Sequence, residues 1–307
     1  FSLVTVGNAL NRKSHIYNTL ATSAFILLII NPAILFEVGF QLSYAAVIGI
    51  VTFQPYFKKI WVPPSGMLKY FWDILLVSLA AQLATGPLSV MYFHQFPNYF
   101  LLTNLLVIPF AGILIYTGVV FLVFAVVPAF GKIAALVLVS EIKALNWLIA
   151  LIEGLPGAVS RNLFLPGFST LLLYMLVLAL FALYLSNKRI WFSIALATML
   201  LLAADHAKLN VLRAKQQMLI VHSMNRHTVI SLVQGRVHNV LADSAVISEP
   251  GLLNYPLEGL RIKSGLRPPV LVGFGAEIPA GEQVHFYKKG FLSFNGSRFA
   301  VISGGFR

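Results

Sequence analysis

Long apolar runs alternate with short polar connections over the first two thirds of the chain. A helix that crosses the hydrocarbon core of a membrane needs about 17–25 such residues. Seven runs come near that length, and they cover residues 16–30, 33–53, 70–93, 99–127, 129–152, 168–185 and 190–204. The pattern predicts an α-helical polytopic membrane protein of about seven spans. Some of them are broken or re-entrant, because the run over 99–127 is long for one helix and contains Pro109, which favours two half-helices.

The pattern changes near residue 216 to short strand-like runs separated by turn residues such as Gln234-Gly235 and Asn295-Gly296. The predicted strands cover residues 218–223, 228–233, 237–242, 270–272, 284–287, 291–294 and 299–302. We therefore expect a transmembrane domain over residues 1–205 and a small, basic, β-rich soluble domain over residues 206–307.

Composition supports the membrane assignment. Only 10% of the 307 residues are charged and 58% are hydrophobic, whereas about a quarter of a soluble domain is charged. The absence of cysteine excludes disulfides and thiol catalysis. The sequence begins at Phe1 and not at Met, so we expect a fragment of a longer protein.

The net charge of +12 is unevenly placed. If all seven runs cross the membrane, one side collects the cations Arg12, Lys13, Lys58, Lys59, Lys69, Lys132, Lys188 and Arg189, and the other side's short loops collect only Arg161. The positive-inside rule makes the first side cytoplasmic and puts the β-rich domain on the non-cytoplasmic side. A basic excess suits anionic lipid or a polyanionic substrate, but ordinary positive-inside loops with a basic soluble domain explain it equally well.

Polar residues form a stripe in the third run. Ser78, Gln82, Thr85 and Ser89 fall within an arc of roughly 60° at 100° per residue. Such a stripe either hydrogen-bonds neighbouring helices or lines a hydrophilic path. Pro87 lies in the same run and is expected to kink it.

The second run has two neighbouring faces. Gln41 and Tyr44 share one face with Glu37, which we expect to be solvated, and Gly39 and Ser43 belong to an adjacent face of small residues that suits close helix packing. Asn31-Pro32 is expected to break the helix before this run. We expect residues 31–44 to form one wall of a path, opposite the 78–89 stripe.

No catalytic residue, cofactor or metal site is predicted. The seven histidines form no HExxH or HxHxDH motif and are expected at the surface, and no Walker A sequence is present.

Several spaced motifs together resemble the competence domain of the ComEC family, over about residues 10–125. They are Asn31-Pro32, Gly39-Phe-Gln-Leu-Ser-Tyr44, Ala81-Gln-Leu-Ala-Thr-Gly-Pro87, His94-Gln-Phe96 and Asn104-Leu-Leu-Val-Ile-Pro109. The resemblance implies a channel in the bacterial cytoplasmic (inner) membrane that passes single-stranded DNA during natural transformation. Membrane lipid, an external DNA receptor and a cytoplasmic ATP-dependent motor are the implied partners, and a homo-oligomer is possible.

A wet path for a polyanion suits uncharged polar groups, which solvate it without trapping it. The expected path residues are Gln41, Ser43, Tyr44, Ser78, Gln82, Thr85, Ser89 and Asn104; the expected helix-breaking or packing residues are Asn31, Pro32, Gly39, Pro87 and Pro109.

The β-rich region resembles the first strands of the metallo-β-lactamase-like nuclease domain that many family members carry. It lacks the metal-binding HxHxDH motif, so we expect a degenerate or incomplete domain and no enzyme. A small-solute transporter and a membrane-tethered nuclease are the alternative functions.

Overall fold

The computed structural model describes residues 16–126, 128–224, 227–273, 284–287, 291–294 and 296–300. The chain divides into two compact units, Phe1–Leu178 and Ala179–Arg307. This division falls earlier than the boundary expected after residue 205. The last long helix runs without a break from Arg189 to Lys215, so the apolar stretch 190–204 and the polar residues after it belong to one rigid element.

Apolar helices dominate the first 215 residues. Their bounds are α1 Ile16–Ile30, α2 Val38–Phe57, α3 Gly66–Phe93, α4 Phe100–Phe124, α5 Pro128–Glu153, α6 Gly167–Ser186 and α7 Arg189–Lys215. Six of the described helices, α2 to α7, are long and apolar enough to cross a membrane, and the described part of α1 is shorter, at 15 residues. The polytopic fold class is confirmed.

The break before α2 follows from Asn31 and Pro32. The side chain of Asn31 accepts a hydrogen bond from the Ala33 backbone N–H at 3.0 Å and caps a short 3₁₀ helix, Pro32–Phe36. The helix α2 then begins only at Val38, with Glu37 as its exposed N-cap. The second run was therefore predicted to begin too early, because an apolar 3₁₀ turn has the same composition as the helix that follows it.

Prolines inside α3 and α4 do not divide these helices. Both Pro87 and Pro109 lie within helices that continue past them, so the expected division of the fourth run into two half-helices is wrong. Each proline removes one backbone hydrogen bond from its helix. The other backbone groups have no water to bond with in an apolar environment, so they keep their helical hydrogen bonds and the helix continues.

The helices of the first unit alternate in direction. The two-stranded sheet of β1 (Phe96–Pro97) and β2 (Val159–Ser160) joins the connection after α3 to the connection after α5. At the opposite end of α3, Lys58 forms an ion pair with Asp73 at 3.0 Å. Alternation from α2 to α5 places Lys58, Lys59, Lys69 and Lys132 toward that opposite end, and Arg161 toward the β1–β2 end. The charge asymmetry expected from the sequence is therefore present in this unit.

The second unit carries a four-stranded sheet in the order β3-β4-β5-β6, formed by Gln217–Met224, His227–Gln234, Val237–Ala242 and Val270–Gly273. The pair β5–β6 is parallel, and its crossover contains α8 (Ser244–Ser248) and α9 (Asn254–Ser264), two helices that the sequence analysis missed. A three-stranded sheet follows, with β7 Val284–Tyr287, β8 Phe291–Phe294 and β9 Ser297–Ala300. All seven predicted strands overlap strands of the structure, although residues 301 and 302 lie outside the described residues.

The four-stranded sheet is buried on both faces. Val229, Val240 and Ala242 pack under the crossover helices, and Ile230 and Leu241 pack on the other face with Phe294 of β8. Double burial explains why these strands read as nearly continuous apolar runs.

Candidate functional site

The helix α3 is the most enclosed of the membrane helices. Its buried residues are Ile74, Leu76, Ser78, Ala80, Gly86 and Pro87, and at 100° per residue they face several directions around the helix axis. A third of its most apolar stretch is buried, whereas no residue of the corresponding stretch of α4 is. Polar groups on α3 therefore face protein, and their surroundings decide what they can do.

Close packing of α2 on α3 occurs at Gly49. A Cβ atom at this position would overlap the Cβ of Ala84 and would lie 2.7 Å from the carbonyl oxygen of Ala80. Gly39, the position expected to serve close packing, is exposed and would have no atom within 4 Å of its Cβ. Among the described residues the close packing is therefore at Gly49 and not at Gly39: both glycines are small, and only the helix crossing point distinguishes them.

The contact at Gly49 also fixes which side of α3 faces α2. Ala80 and Ala84 each stand two residues from a member of the polar stripe, which is roughly 160° around the helix. The 78–89 stripe therefore points away from the Gly49 contact with α2. The expected path with residues 31–44 as the wall opposite this stripe is not formed at this contact.

The stripe residues have different surroundings. Ser78 is 3% exposed, and its hydroxyl has no hydrogen-bond partner among the described residues. The hydroxyl of Thr85 donates to the carbonyl oxygen of Ala81 at 2.9 Å, within its own helix. Ser89 and Gln82 are half-buried. The unpartnered hydroxyl of Ser78 is the feature that hydrogen-bonded helix packing does not explain.

Gln82 opens into a pocket of about 410 Å³ within the first unit. Apart from this amide, the lining side chains are apolar: Leu79, Leu83, Pro87, Val90, Phe96, Phe100, Leu173 and Val177, with Gly86 beside them. The rings of Phe96 and Phe100 meet edge to face with centroids 6.0 Å apart. The pocket offers aromatic surface and one hydrogen-bonding group to an occupant.

The kink residue Pro87 is accompanied by a hydrogen bond from another helix. The hydroxyl of Tyr174, on α6, donates to the carbonyl oxygen of Ala84 at 2.6 Å. Pro87 removes the backbone donor to the carbonyl oxygen of Leu83, and Tyr174 binds the next carbonyl oxygen along the helix. The bond ties α6 to α3 beside the proline, and no local pattern in the sequence predicted Tyr174 for this contact.

Two of the expected path residues on α2 connect helices. The amide of Gln41 donates to the carbonyl oxygen of Leu35 at 2.9 Å and accepts from the hydroxyl of Tyr92 at 2.8 Å. The hydroxyls of Tyr44 and Ser23 lie 2.8 Å apart and join α2 to α1. These hydrogen bonds favour a helix-packing role for Gln41 and Tyr44 over a place on the path.

The remaining two expected path residues show no such contacts. Ser43 is exposed on α2 and Asn104 is half-buried on α4, and neither side chain forms a hydrogen bond with another described residue.

The connection that contains His94-Gln-Phe96 is tied to the connection after α5. The amide of Asn98 donates to the carbonyl oxygen of Gly157 at 2.7 Å and to the hydroxyl of Ser160 at 2.9 Å, and Tyr99 donates to the carbonyl oxygen of Pro156. These bonds fix the end of the bundle from which Phe96 and Phe100 reach the pocket.

A carboxyl group lies between α4 and α5. Glu141 accepts a hydrogen bond from the hydroxyl of Thr117 at 3.1 Å, and its second oxygen is buried with no partner among the described residues. Lys143 is exposed and stands two positions away, so it does not share this helix face.

Three polar side chains of the second unit meet under the crossover helices. His222 and His238 each lie within 2.9 Å of the hydroxyl of Ser231, from the strands on either side of it. His238 is 1% exposed, so the expectation that the histidines are surface residues is wrong for this one. Burial, with the nearby His222 and Arg261, lowers the pKa of His238 to about 4, and burial also lowers the pKa of His222. Within the described ranges, no group of three or more histidine, aspartate or glutamate side chains is arranged to hold a metal ion.

Comparison with known proteins supplies the family. The sequence family described as "Competence protein" matches residues 1–189. The chain is 34% identical over 98 residues to "ComE operon protein 3" of Bacillus subtilis (strain 168), a segment that makes up 32% of this chain and 12% of that protein. No solved structure matches the chain.

Proposed function

Because the chain belongs to the competence protein family, we propose that it takes part in DNA uptake and forms a channel that passes single-stranded DNA across the bacterial cytoplasmic membrane during natural transformation. The observation that carries this proposal is the family match over residues 1–189, which covers α1 to α6. The matched segment is only about an eighth of its Bacillus relative, so the activity of the complete protein belongs to the proposal as well.

The interior of the first unit supports a polar passage at α3. The hydroxyl of Ser78 is buried without a partner in the described part of the chain, and an unpartnered hydroxyl in an apolar interior costs roughly 1–3 kcal/mol. On the same helix, Gln82 lines the pocket, which Ser78 does not. Water or a polar substrate in the pocket would satisfy the amide of Gln82, whereas lipid would not.

The pocket suits the bases of a single strand better than its phosphates. Its volume of about 410 Å³ lies in the range of small-ligand sites, ~300–1,000 Å³. Aromatic faces stack on any base, and one uncharged amide holds a polyanion only weakly. We infer that the path follows Ser78, Gln82 and Ser89 on α3, and that Gln41 and Tyr44 position the helices around it.

The same proposal implies an orientation in the membrane and a set of partners. The end of the first unit that carries Lys58, Lys59, Lys69 and Lys132 is cytoplasmic, and the β-rich domain is non-cytoplasmic. The chain itself hydrolyses neither nucleotide nor DNA, so an ATP-dependent motor in the cytoplasm and a DNA receptor outside act with it. Membrane lipid surrounds the exposed helices, and a homo-oligomer is compatible with them.

Replacement of Gln82 by Leu tests the path. The substitution removes the only hydrogen-bonding side chain of the pocket and fills part of its volume, so we expect transfer of fluorescently labelled DNA into the cytoplasm to fall about tenfold or more at unchanged membrane abundance. Ser43→Leu on the exposed face of α2 is the matched control and should transfer DNA normally. If the Gln82 variant transferred DNA as well as the Ser43 variant, Gln82 would be a packing residue and not part of the path. Normal entry of DNA into cells that lack the protein would exclude the channel altogether.

A small-solute transporter is the alternative, and the size of the pocket beside a proline in mid-helix favours it. It predicts saturable uptake of a small metabolite that Gln82→Leu abolishes, with no change in DNA entry when the protein is deleted.

A further inference from the structure

Exposed cations are gathered where α7 joins the β-sheet domain. Lys215 ends α7, Arg236 lies in the turn between β4 and β5, and Lys263 and Arg267 lie at and just after the end of α9. All four side chains are exposed, and none of them forms an ion pair with a carboxylate of the described residues. We call these four residues the basic collar.

Hydrogen bonds to backbone carbonyl groups hold the three segments of the collar together. The side-chain amide of Gln216 donates to the carbonyl oxygens of Gly235 and Ser264, both at 2.8 Å. The backbone N–H of Gly235 donates to the carbonyl oxygen of Gln216, and that of Arg267 donates to the carbonyl oxygen of Arg236. The positions of the three segments are therefore set by the fold, and the guanidinium of Arg236 is also held by a hydrogen bond to Asn210 at 3.1 Å.

Arg213 strengthens this arrangement. Its guanidinium donates to the carbonyl oxygens of Ile262 and Lys263 at the end of α9, the shorter bond being 2.7 Å. A cation at a helix C-terminus is favourable. Arg213 also lies close enough to Arg236 for their charges to repel. Gathering like charges costs free energy, and a polyanion at this place recovers it.

We propose that the basic collar binds the phosphate backbone of single-stranded DNA, an inference that rests on the proposed role in DNA uptake. Lysine and arginine side chains held together on one surface, and not ion-paired with a described carboxylate, are the usual electrostatic footprint of a nucleic-acid backbone. Such contacts are independent of base sequence, as uptake of arbitrary DNA requires.

The length of α7 places Lys215 at the outer edge of the headgroup layer. The 27 residues from Arg189 to Lys215 rise ~40 Å at ~1.5 Å per residue, and a usual helix tilt of ~20° shortens this rise to ~38 Å. The hydrocarbon core takes up ~30 Å of that length and one headgroup layer ~5–8 Å. The collar therefore begins where the headgroups end, and nanodiscs of different lipid charge decide between DNA and lipid as the source of the phosphates.

The test compares two double variants of the full chain in nanodiscs of zwitterionic lipid. Lys263→Gln with Arg267→Gln removes half of the collar, and neither side chain forms a hydrogen bond or ion pair with another residue in the described part of the chain. Lys208→Gln with Arg298→Gln removes one exposed lysine and one exposed arginine elsewhere in the same unit and is matched in charge. Binding of a fluorescent single-stranded oligonucleotide is measured by anisotropy from 50 to 200 mM salt.

Each phosphate contact contributes about −0.7 to the slope of log K against log salt concentration for single strands. The collar variant should therefore lose about 1.4 in slope, so that raising salt from 50 to 200 mM weakens wild type about sevenfold more than this variant. The Lys208/Arg298 variant should retain the wild-type slope. A collar variant that keeps the wild-type slope, or a control that loses as much, would overturn the proposal.

Nanodiscs with anionic lipid separate the two sources of phosphate. Binding with the same salt slope as in zwitterionic nanodiscs is expected, and a slope reduced to that of the collar variant would assign the collar to lipid headgroups. Failure of DNA transfer in cells with intact oligonucleotide binding would remove the channel proposal but leave the collar. Normal DNA transfer, together with a wild-type salt slope in the collar variant, would overturn DNA binding by the collar and leave the channel proposal intact.

Discussion

His238 is a buried base surrounded by groups that disfavour its protonation. Its neighbours are the hydroxyl of Ser231, the ring of His222 on β3, and the cationic Arg261 on α9. One ring nitrogen is used by Ser231, and the other is buried without a partner among the described residues. Protonation would create a charge in an apolar core beside another cation, so the neutral ring is part of the folded state.

We therefore expect the β-sheet domain to lose stability in mild acid. The pKa of His238 is about 4 in the fold and ~6.5 in the unfolded chain, so between these values the unfolded chain binds the extra proton. Stability that is present above pH ~6.5 falls as pH is lowered toward 4, by about 2 kcal/mol between pH 7 and pH 5. The free energy of opening of the β3–β5 amides, from hydrogen exchange corrected for intrinsic rates, measures the loss. His238→Gln should show a smaller pH dependence, whereas the exposed His206→Gln should behave like wild type; identical profiles for all three would contradict the assignment.

At the scale of secondary-structure elements, one glycine determines how closely α2 approaches α3. Gly49 is buried against Ala80 and Ala84, whereas a Cβ atom at Gly39 on the same helix would have no described atom within 4 Å. Small residues at a crossing point let two helix backbones approach, and in a membrane this packing replaces the hydrophobic effect as the force between helices.

Gly49→Ala is expected to destabilise the membrane bundle by about 1–3 kcal/mol, because the new methyl group overlaps Ala84 and the backbone of Ala80. The matched change Gly39→Ala adds the same methyl group in open space and should cost nothing. Thermal unfolding of the two variants in the same detergent measures the difference. Equal midpoints would show that α2 and α3 do not meet at Gly49.

Local pattern predicted the elements well because each apolar run or alternating strand is encoded by its own residues. The turn at Gln234-Gly235 and the helix break at Asn31-Pro32 are also local, and both are found. Pairings between distant residues were not predictable in this way. Tyr174 reaches Ala84 across 90 positions and Gly49 is chosen by a helix crossing, so no periodicity reveals either.

The same limit applies to the candidate site. The sequence identified Gln82 and Ser78 as polar residues that need an explanation. In the structure the hydroxyl of Ser78 has no hydrogen-bond partner among the described residues, and Gln82 lines a pocket. The sequence could not identify the residues that face Gln82 across the pocket. Phe96, Phe100 and Leu173 complete the pocket from other elements, and apolar residues in a membrane sequence give no sign of which of them face a cavity.

At the scale of the whole molecule, the alternation of the helices and the placement of cations make one orientation testable. Arg161 and the β-sheet domain should lie on the non-cytoplasmic side, and Lys188 between α6 and α7 on the cytoplasmic side. Because the chain contains no cysteine, single substitutions report topology without further changes. Arg161→Cys, Lys188→Cys and Ser297→Cys each place one thiol at an exposed position.

In spheroplasts, a membrane-impermeant maleimide should label the thiols at positions 161 and 297 at once and the thiol at position 188 only after permeabilisation. The unsubstituted chain is the control and should remain unlabelled. Each outcome locates a specific crossing. Protection at 297 with labelling at 161 and 188 would mean that α6 does not cross, because the chain would then leave the non-cytoplasmic side only through α7. Protection at both 161 and 297 with labelling at 188 would invert the molecule and put the basic collar in the cytoplasm. There it would meet DNA only after passage, and the collar would serve retention of the strand and not its capture.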